Sequence, residues 1–332
     1  MNRSSALGIS RFTGWAIAVA HVFLLLGGVG WTSLQAAADG LMLPDLETWK
    51  QLHEKGLWNE PEQKALVFFD NGTEQLLISP RYEGPADKFA WVIPVPSRPK
   101  VEIADEAIFH ELMGASSSLM AVPPQVNLLE RKTVGDYDVS VLSSNDSDAL
   151  MNWLMKNGYH LPEAAARPLQ SYIAKRWTFV ACRVSAPGSE GKLRTGMLSP
   201  LKLTFPTRKP VYPLKLSSAN PQPFDLLIYL VLVRPADRYQ YLKVDFERPF
   251  PIDAFDRNSR RPARREGWAK ECPLLAGMAK GRAIDLYALA WTGKRRVRPA
   301  SCTSDLSWPV SVHPLPPGCD GWETPPLGWA PY

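Results

Sequence analysis

Residues 64–82 read KALVFFDNGTEQLLISPRY, and this stretch decides the fold class. Ala65 to Phe69 is a run of apolar and aromatic residues with strand propensity. Asp70-Asn71-Gly72-Thr73 follows, and Asn-Gly tolerates the positive φ values of a type I′ turn. Gln75 to Tyr82 then returns as the partner strand. A two-residue hairpin of this kind predicts antiparallel pairing and locates the start of a sheet domain near residue 61.

The pattern continues outward. Gly84-Pro85 turns the chain again, and Phe89 to Val95 predicts a third strand. That strand carries an internal conflict. Trp91, Val92, Ile93 and Val95 favour a sheet, whereas Pro94 and Pro96 have no N–H to give to a ladder. The spacing predicts a strand edge and a rigid, extended exit. Trp91 beside alternating valines reads as core. Asp105 to Met113 places Ile108, Phe109, Leu112 and Met113 on one helical side. Tyr137 to Leu142 reads as a strand, and Asn145-Asp146-Ser147 offers a helix N-cap before Ala149, Leu150, Trp153 and Leu154. Pro168 to Lys175 predicts a further short helix. Trp177–Val184, Leu201–Phe205, Val211–Leu216, Leu226–Val233 and Tyr239–Phe246 predict strands. Beyond Glu247 only Ile284 to Trp291 looks regular.

Many strands with two or three short helices between them define an α+β protein with a largely antiparallel β-sheet, plus a Pro/Cys/Trp-rich C-terminal tail. The 332 residues contain 31 prolines, well above the usual ~5%. Kinked strands and stiff loops are therefore expected, and long uninterrupted helices are not. The organisation expected is a signal peptide over 1–38, a lead-in over 39–60, a β-rich core domain over 61–247, and a basic loop with a Pro/Cys-rich region over 248–332.

The first 38 residues read as an export signal. Arg3 and Arg11 form a basic region without acids, Gly14 to Trp31 is almost wholly apolar, and Ala36-Ala37-Ala38 supplies small residues for cleavage. The mature chain would begin at Asp39, after Ala38. The alternative is an uncleaved anchor, because the apolar run just reaches the roughly 17 residues that a spanning helix needs. Both readings place the body outside the cytoplasm, periplasmic or secreted in one case and tethered in the other. No second span is expected, since Phe224 to Val233 is short and contains Asp225.

Several chemistries are excluded or demoted by spacing. The four cysteines are Cys182, Cys272, Cys302 and Cys319. Without a CxxC or clustered histidines they do not form a zinc site. In an exported chain they are allowed to pair, and Cys302–Cys319 is the candidate disulfide, one of three connectivities that four cysteines permit. Cys182, in TFVACRV, also reads as a small buried residue. No HExxH, GxSxG, SxxK or Gly-rich phosphate loop occurs, so no metal, cofactor or catalytic residue is expected. A general base at His110-Glu111 is weighed against a surface helix pair, and a hard-cation site at Asn145, Asp146 and Asp148 against plain helix capping. A spatial Ser/His or carboxylate site is left open, because triads are recognised by geometry. The basic run RNSRRPARR, 257–265, reads as a solvated loop that could touch anionic lipid or envelope polymer; nucleic acid is not an expected partner of an exported protein. The partner expected is an unknown envelope component or ligand, and the oligomeric state is left open.

FAWVIPVPSRP and the preceding RYEGPADKF resemble motifs of the bacterial domain-of-unknown-function 2330 family. VGDYDVSVLSSNDSDALMNWLMKNGYHLP is similar to that family's central strand–helix block, and RWTFVACRVSAPG and SPLKLTFPTRKPVYPLKL to its later strands. The resemblance covers about residues 64–235 in the right order. It implies an exported bacterial protein, brings no assigned activity and so no functional residues, and marks Trp91, Pro94 and Pro96 as a family-like structural motif. Family members often carry a cysteine pair just after the signal, whereas here that segment reads ADGLMLPDLETW. The function expected is a non-catalytic binding or envelope-associated domain; an envelope hydrolase and a membrane-tethered accessory protein are the alternatives.

Overall fold

The computed structural model describes residues 41–44, 59–85, 89–116, 137–157, 161–184, 193–197, 199–220, 222–237, 239–244, 272–293 and 296–315. The hairpin forms as its turn residues dictate. Strand β2 (Asn59–Asp70) pairs antiparallel with β3 (Thr73–Pro85), closing at Asp70↔Thr73. Asn71 and Gly72 both take positive φ, 42° and 81°, the signature of a type I′ turn.

This hairpin sits inside a mixed sheet. Its order is β13 (Ile284–Trp291), β11 (Asp225–Val233), β2, β3, β9 (Leu201–Pro206), β5 (Lys100–Ile103), and β8 (Leu193–Met197) also pairs β3. The one departure from antiparallel pairing is β11 against β2, which run parallel from Asp225↔Glu62 to Leu232↔Phe69. Strand β11, DLLIYLVLV, is buried along almost its whole length on both faces, which explains its unbroken apolar run. Strand β13, from the C-terminal region, flanks it antiparallel.

A second sheet has the order β1 (Leu41–Pro44), β4 (Phe89–Val95), β7 (Thr178–Val184), β6 (Tyr137–Ser143). Alternation along the strands sorts side chains into three cores. Ala65, Val67, Leu76, Ile78, Leu203 and Ile228 of the first sheet face Trp91, Ile93, Val95, Val180 and Cys182 of the second. The other face of the first sheet, with Leu66, Phe68, Leu77, Tyr229 and Val231, is covered by helices α1 (Ala107–Ser116) and α4 (Pro273–Ala279). The other face of the second sheet, with Val92, Phe179 and Ala181, is covered by α2 (Ser147–Lys156) and α3 (Ala166–Ala174). The described residues thus stack helix, sheet, sheet, helix, an α+β sandwich. Each fully buried aliphatic or aromatic side chain contributes about 1.5–3 kcal/mol of transfer free energy.

Two strand prolines, Pro94 and Pro80, fall where one of the described ladders stops. Pro94 pairs with Phe179 of β7, but on its other side β1 has already ended, its last register pair there being Leu41↔Val92. In β3, the partner β9 reaches Ile78 and β8 begins at Arg81, so Pro80 falls between them. Among the described residues neither proline has a strand neighbour on that side, and a missing N–H costs little where none stands to receive it.

Local polar contacts fix the helices. Asp146 is the N-cap of α2, its carboxylate accepting from the Ala149 N–H at 2.7 Å. Glu111 of α1 accepts from the backbone N–H of Leu274 at 3.0 Å and so caps α4, contributing about 1 kcal/mol. Asp305 accepts from the Tyr172 hydroxyl, the Lys175 ammonium and the Lys215 N–H, tying α3 to the C-terminal region. The expected strand over 211–216 shortens to β10 (Val211–Tyr212), paired with β14 (Leu306–Ser307), because Pro213 interrupts it and a 3-10 helix, Lys215–Ala219, follows. Strands β12 (Gln240–Val244) and β15 (Val310–Pro314) form a separate two-stranded ribbon.

Candidate functional site

The two sheets end on the same side in edge strands, β5 in one and β6 in the other. Three observations superpose them. The Tyr137 hydroxyl of β6 donates to the Ser199 carbonyl at 2.6 Å. The Ala104 N–H, one residue past β5, donates to the neighbouring Pro200 carbonyl at 2.7 Å. At the other end the Ser97 hydroxyl donates to the Pro206 carbonyl at 2.7 Å, beside the place where Val95, Thr178 and Ser143 lie in register across the second sheet.

Strand alternation then decides what fills the space between the edges. Val139 and Val141 stand opposite Cys182 and Val180, both inter-sheet residues, so they share that face. Val101 and Ile103 stand opposite Leu203 and Leu201 and share the inner face of the first sheet. These positions are built as core yet remain open: Ile103 is 50% exposed, Val139 37% and Val141 39%. The sandwich therefore opens at this side into an apolar groove bounded by two strands, each without a neighbour on its outer side among the described residues. Exposed inward-facing aliphatics beside strand edges with no described neighbour suit an extended apolar chain.

The motif singled out in the sequence lies elsewhere. Trp91 is fully buried in the inter-sheet core, with its ring 6.4 Å from that of Tyr137; Pro94 is buried and Pro96 half-buried just past the strand. Trp91 thus supports the groove from behind. Cys302 and Cys182 are buried free thiols, each with its pKa pushed up to about 12 by burial, which suits packing and not nucleophilic chemistry. Cys319, the expected partner of Cys302, lies outside the described residues, as do Ala38, Asp39 and the 257–265 loop. His110 is exposed while Glu111 is spent on capping, so the structure does not join them as an acid–base pair.

One pairing was not visible in the sequence. Ser311 and His313 of β15 share a face, with Ser311 Oγ 2.8 Å from His313 Nε2, and the imidazole stacks on Tyr241 at 5.5 Å between ring centres. Only the i, i+2 geometry of a strand brings them together. Ser311 is exposed, and among the described residues no carboxylate orients the other ring nitrogen. A hydroxyl in bulk water beside an unoriented base lacks what activates a nucleophile.

A two-sheet α+β sandwich with an open strand-lined edge is the class of protein these features define. The chain belongs to the bacterial domain-of-unknown-function 2330 family: the family model, described as an uncharacterized protein conserved in bacteria (DUF2330), matches residues 53–123 and 113–280. The match reaches past the second sheet and α3 to include β11 and α4. No curated protein matches the sequence. Among solved structures, the crystal structure of baculovirus P35 is similar over 57% of this chain and 75% of that chain, at 10% identity and a TM-score of 0.34.

Proposed function

We propose that this protein is an exported, non-catalytic binding domain of the bacterial cell envelope, and that it captures an extended segment of an envelope partner as an added strand at the β5/β6 edge. The observation that carries this reading is the exposure of Ile103, Val139 and Val141 on inward-facing positions of two adjoining edge strands. Burying that apolar surface under a partner strand is favourable at roughly 25 cal/mol per Å², and main-chain hydrogen bonds along β6 would fix the strand's register. The export half of the reading rests on the basic, apolar and small-residue succession of residues 1–38.

The binding half is tested with a neutral peptide of alternating valine and threonine, labelled for fluorescence anisotropy. The mature protein should bind it, and the double variant Val139→Asp, Val141→Asp should bind at least about tenfold more weakly, the equivalent of about 1.4 kcal/mol. Both substitutions lie at exposed positions, so folding, checked by circular dichroism, should survive. Equal binding by variant and parent would remove the edge from consideration. The export half is tested by mass spectrometry of protein recovered from a bacterial host: a chain beginning at Asp39 is the expected result, and an intact leader on membrane-bound protein would replace secretion with tethering.

A further inference from the structure

We infer that the segment taken up at this edge is an extended peptide with acidic residues at one end. This inference rests on the strand-addition reading above and adds the charge of the partner. The Ser97 hydroxyl bond to Pro206 holds two loops together at the end of the groove where β5 begins and β6 finishes. One loop carries Arg98 and leads to Lys100; the other carries Arg208 and Lys209. All four are exposed. Lys202 of β9 stands opposite Glu102, both on the face of the first sheet turned away from the groove.

The local acids do not cancel this charge. Glu102 bonds Lys100 at 2.8 Å and Lys202 at 3.0 Å, and these two hydrogen bonds hold its carboxyl below the ordinary glutamate value. That carboxylate is occupied by two ammonium groups on the outer face of the first sheet, so it does not reach the loop cations at the groove's mouth. Arg98, Arg208 and Lys209 have no acidic partner among the described residues. Asp146 and Asp148 follow β6, but they begin α2, on the outer side of the second sheet, where Asp146 caps the helix. The groove is therefore apolar along its length and basic at one mouth. A strand whose alternate apolar residues lie on Ile103, Val139 and Val141 would bring its terminal residues to those loops. Charge of the opposite sign there steers association and fixes which end enters.

Three labelled peptides test this against the mature protein at low salt: the valine–threonine peptide alone, the same peptide ending in aspartates, and the same ending in lysines. The aspartate peptide should bind about tenfold tighter than the neutral one, as two or three exposed ion pairs of up to about 1 kcal/mol each allow. The lysine peptide should bind more weakly than either. The double variant Arg208→Glu, Lys209→Glu should abolish the aspartate advantage while leaving the neutral peptide's affinity unchanged, and physiological salt should shrink it. Equal affinity for the aspartate and neutral peptides, with loss of both in Val139→Asp, Val141→Asp, would overturn the acidic partner but keep the strand-addition reading. An aspartate advantage that survives the Arg208→Glu, Lys209→Glu change would also overturn the inference, because the charge would then be read elsewhere. No binding of any peptide would overturn both readings.

Discussion

Replacing Trp91 with alanine should lower the free energy of unfolding by about 3–5 kcal/mol, the largest loss expected from a single truncation in this chain. Trp91 is fully buried and is among the largest buried side chains of the inter-sheet core. It lies in the central part of β4, with β1 on one side at Met42 and β7 on the other at Cys182, so the surrounding backbone is hydrogen-bonded into a sheet and has little freedom to collapse into the void. Its ring also adjoins that of Tyr137, the residue that pins β6 to Ser199. The loss should therefore extend to the groove, with weaker peptide binding under conditions where the variant is still folded. Urea unfolding of parent, Trp91→Phe and Trp91→Ala should give three decreasing midpoints. A loss below about 1 kcal/mol for the alanine variant would mean that the site is not the packed core described.

The second large effect is a change with pH. Glu74 is completely buried in β3, with Oε2 accepting the Val211 N–H at 2.8 Å and Oε1 without a partner. Burial raises its pKa well above the usual carboxylate value, and the single backbone hydrogen bond lowers it by less. The folded chain consequently keeps this carboxyl protonated at pH values where the unfolded chain has ionised it. Between the unfolded and folded pKa values the native state binds more protons, so stability falls as pH rises, by up to about 1.4 kcal/mol per pH unit for this group. Below the unfolded value, near 4.5, both states are protonated and the penalty vanishes. Glu74→Gln retains an acceptor for Val211 and cannot ionise. Its stability relative to the parent should climb steadily from pH 4.5 upward, as measured by urea midpoints at several pH values. A difference between the two proteins that stays flat over that range would show Glu74 to be ionised in the folded state.

Short-range features were legible because their causes are short-range. The Asn71-Gly72 turn, the Asp146 cap and the apolar run of β11 each depend on a few adjacent residues, and each formed as expected. The proline conflict in β4 could be recognised but not resolved, since its resolution lies in where a strand about fifty residues away in sequence stops pairing. Val211 to Leu216 misled because its alternation outweighed Pro213, which ends the pairing. The groove was hidden for the opposite reason. Ile103, Val139 and Val141 alternate as any core residues would, and nothing within β5 or β6 states that both are edges or that they superpose. That information resides in sheet order, whereas the pairing of Ser311 with His313 needed only the knowledge that 310–314 forms a strand.

Strand β11 is bracketed by two strands of very different origin, β2 from near the start of the folded body and β13 from near its end. During synthesis, therefore, the middle of the principal sheet stays without one flank until Ile284–Trp291 has left the ribosome. Non-local pairing of this kind raises contact order and slows folding. The C-terminal region is thus the piece that closes the principal sheet, and a chain cut short before Ile284 would leave β11 with one bare edge.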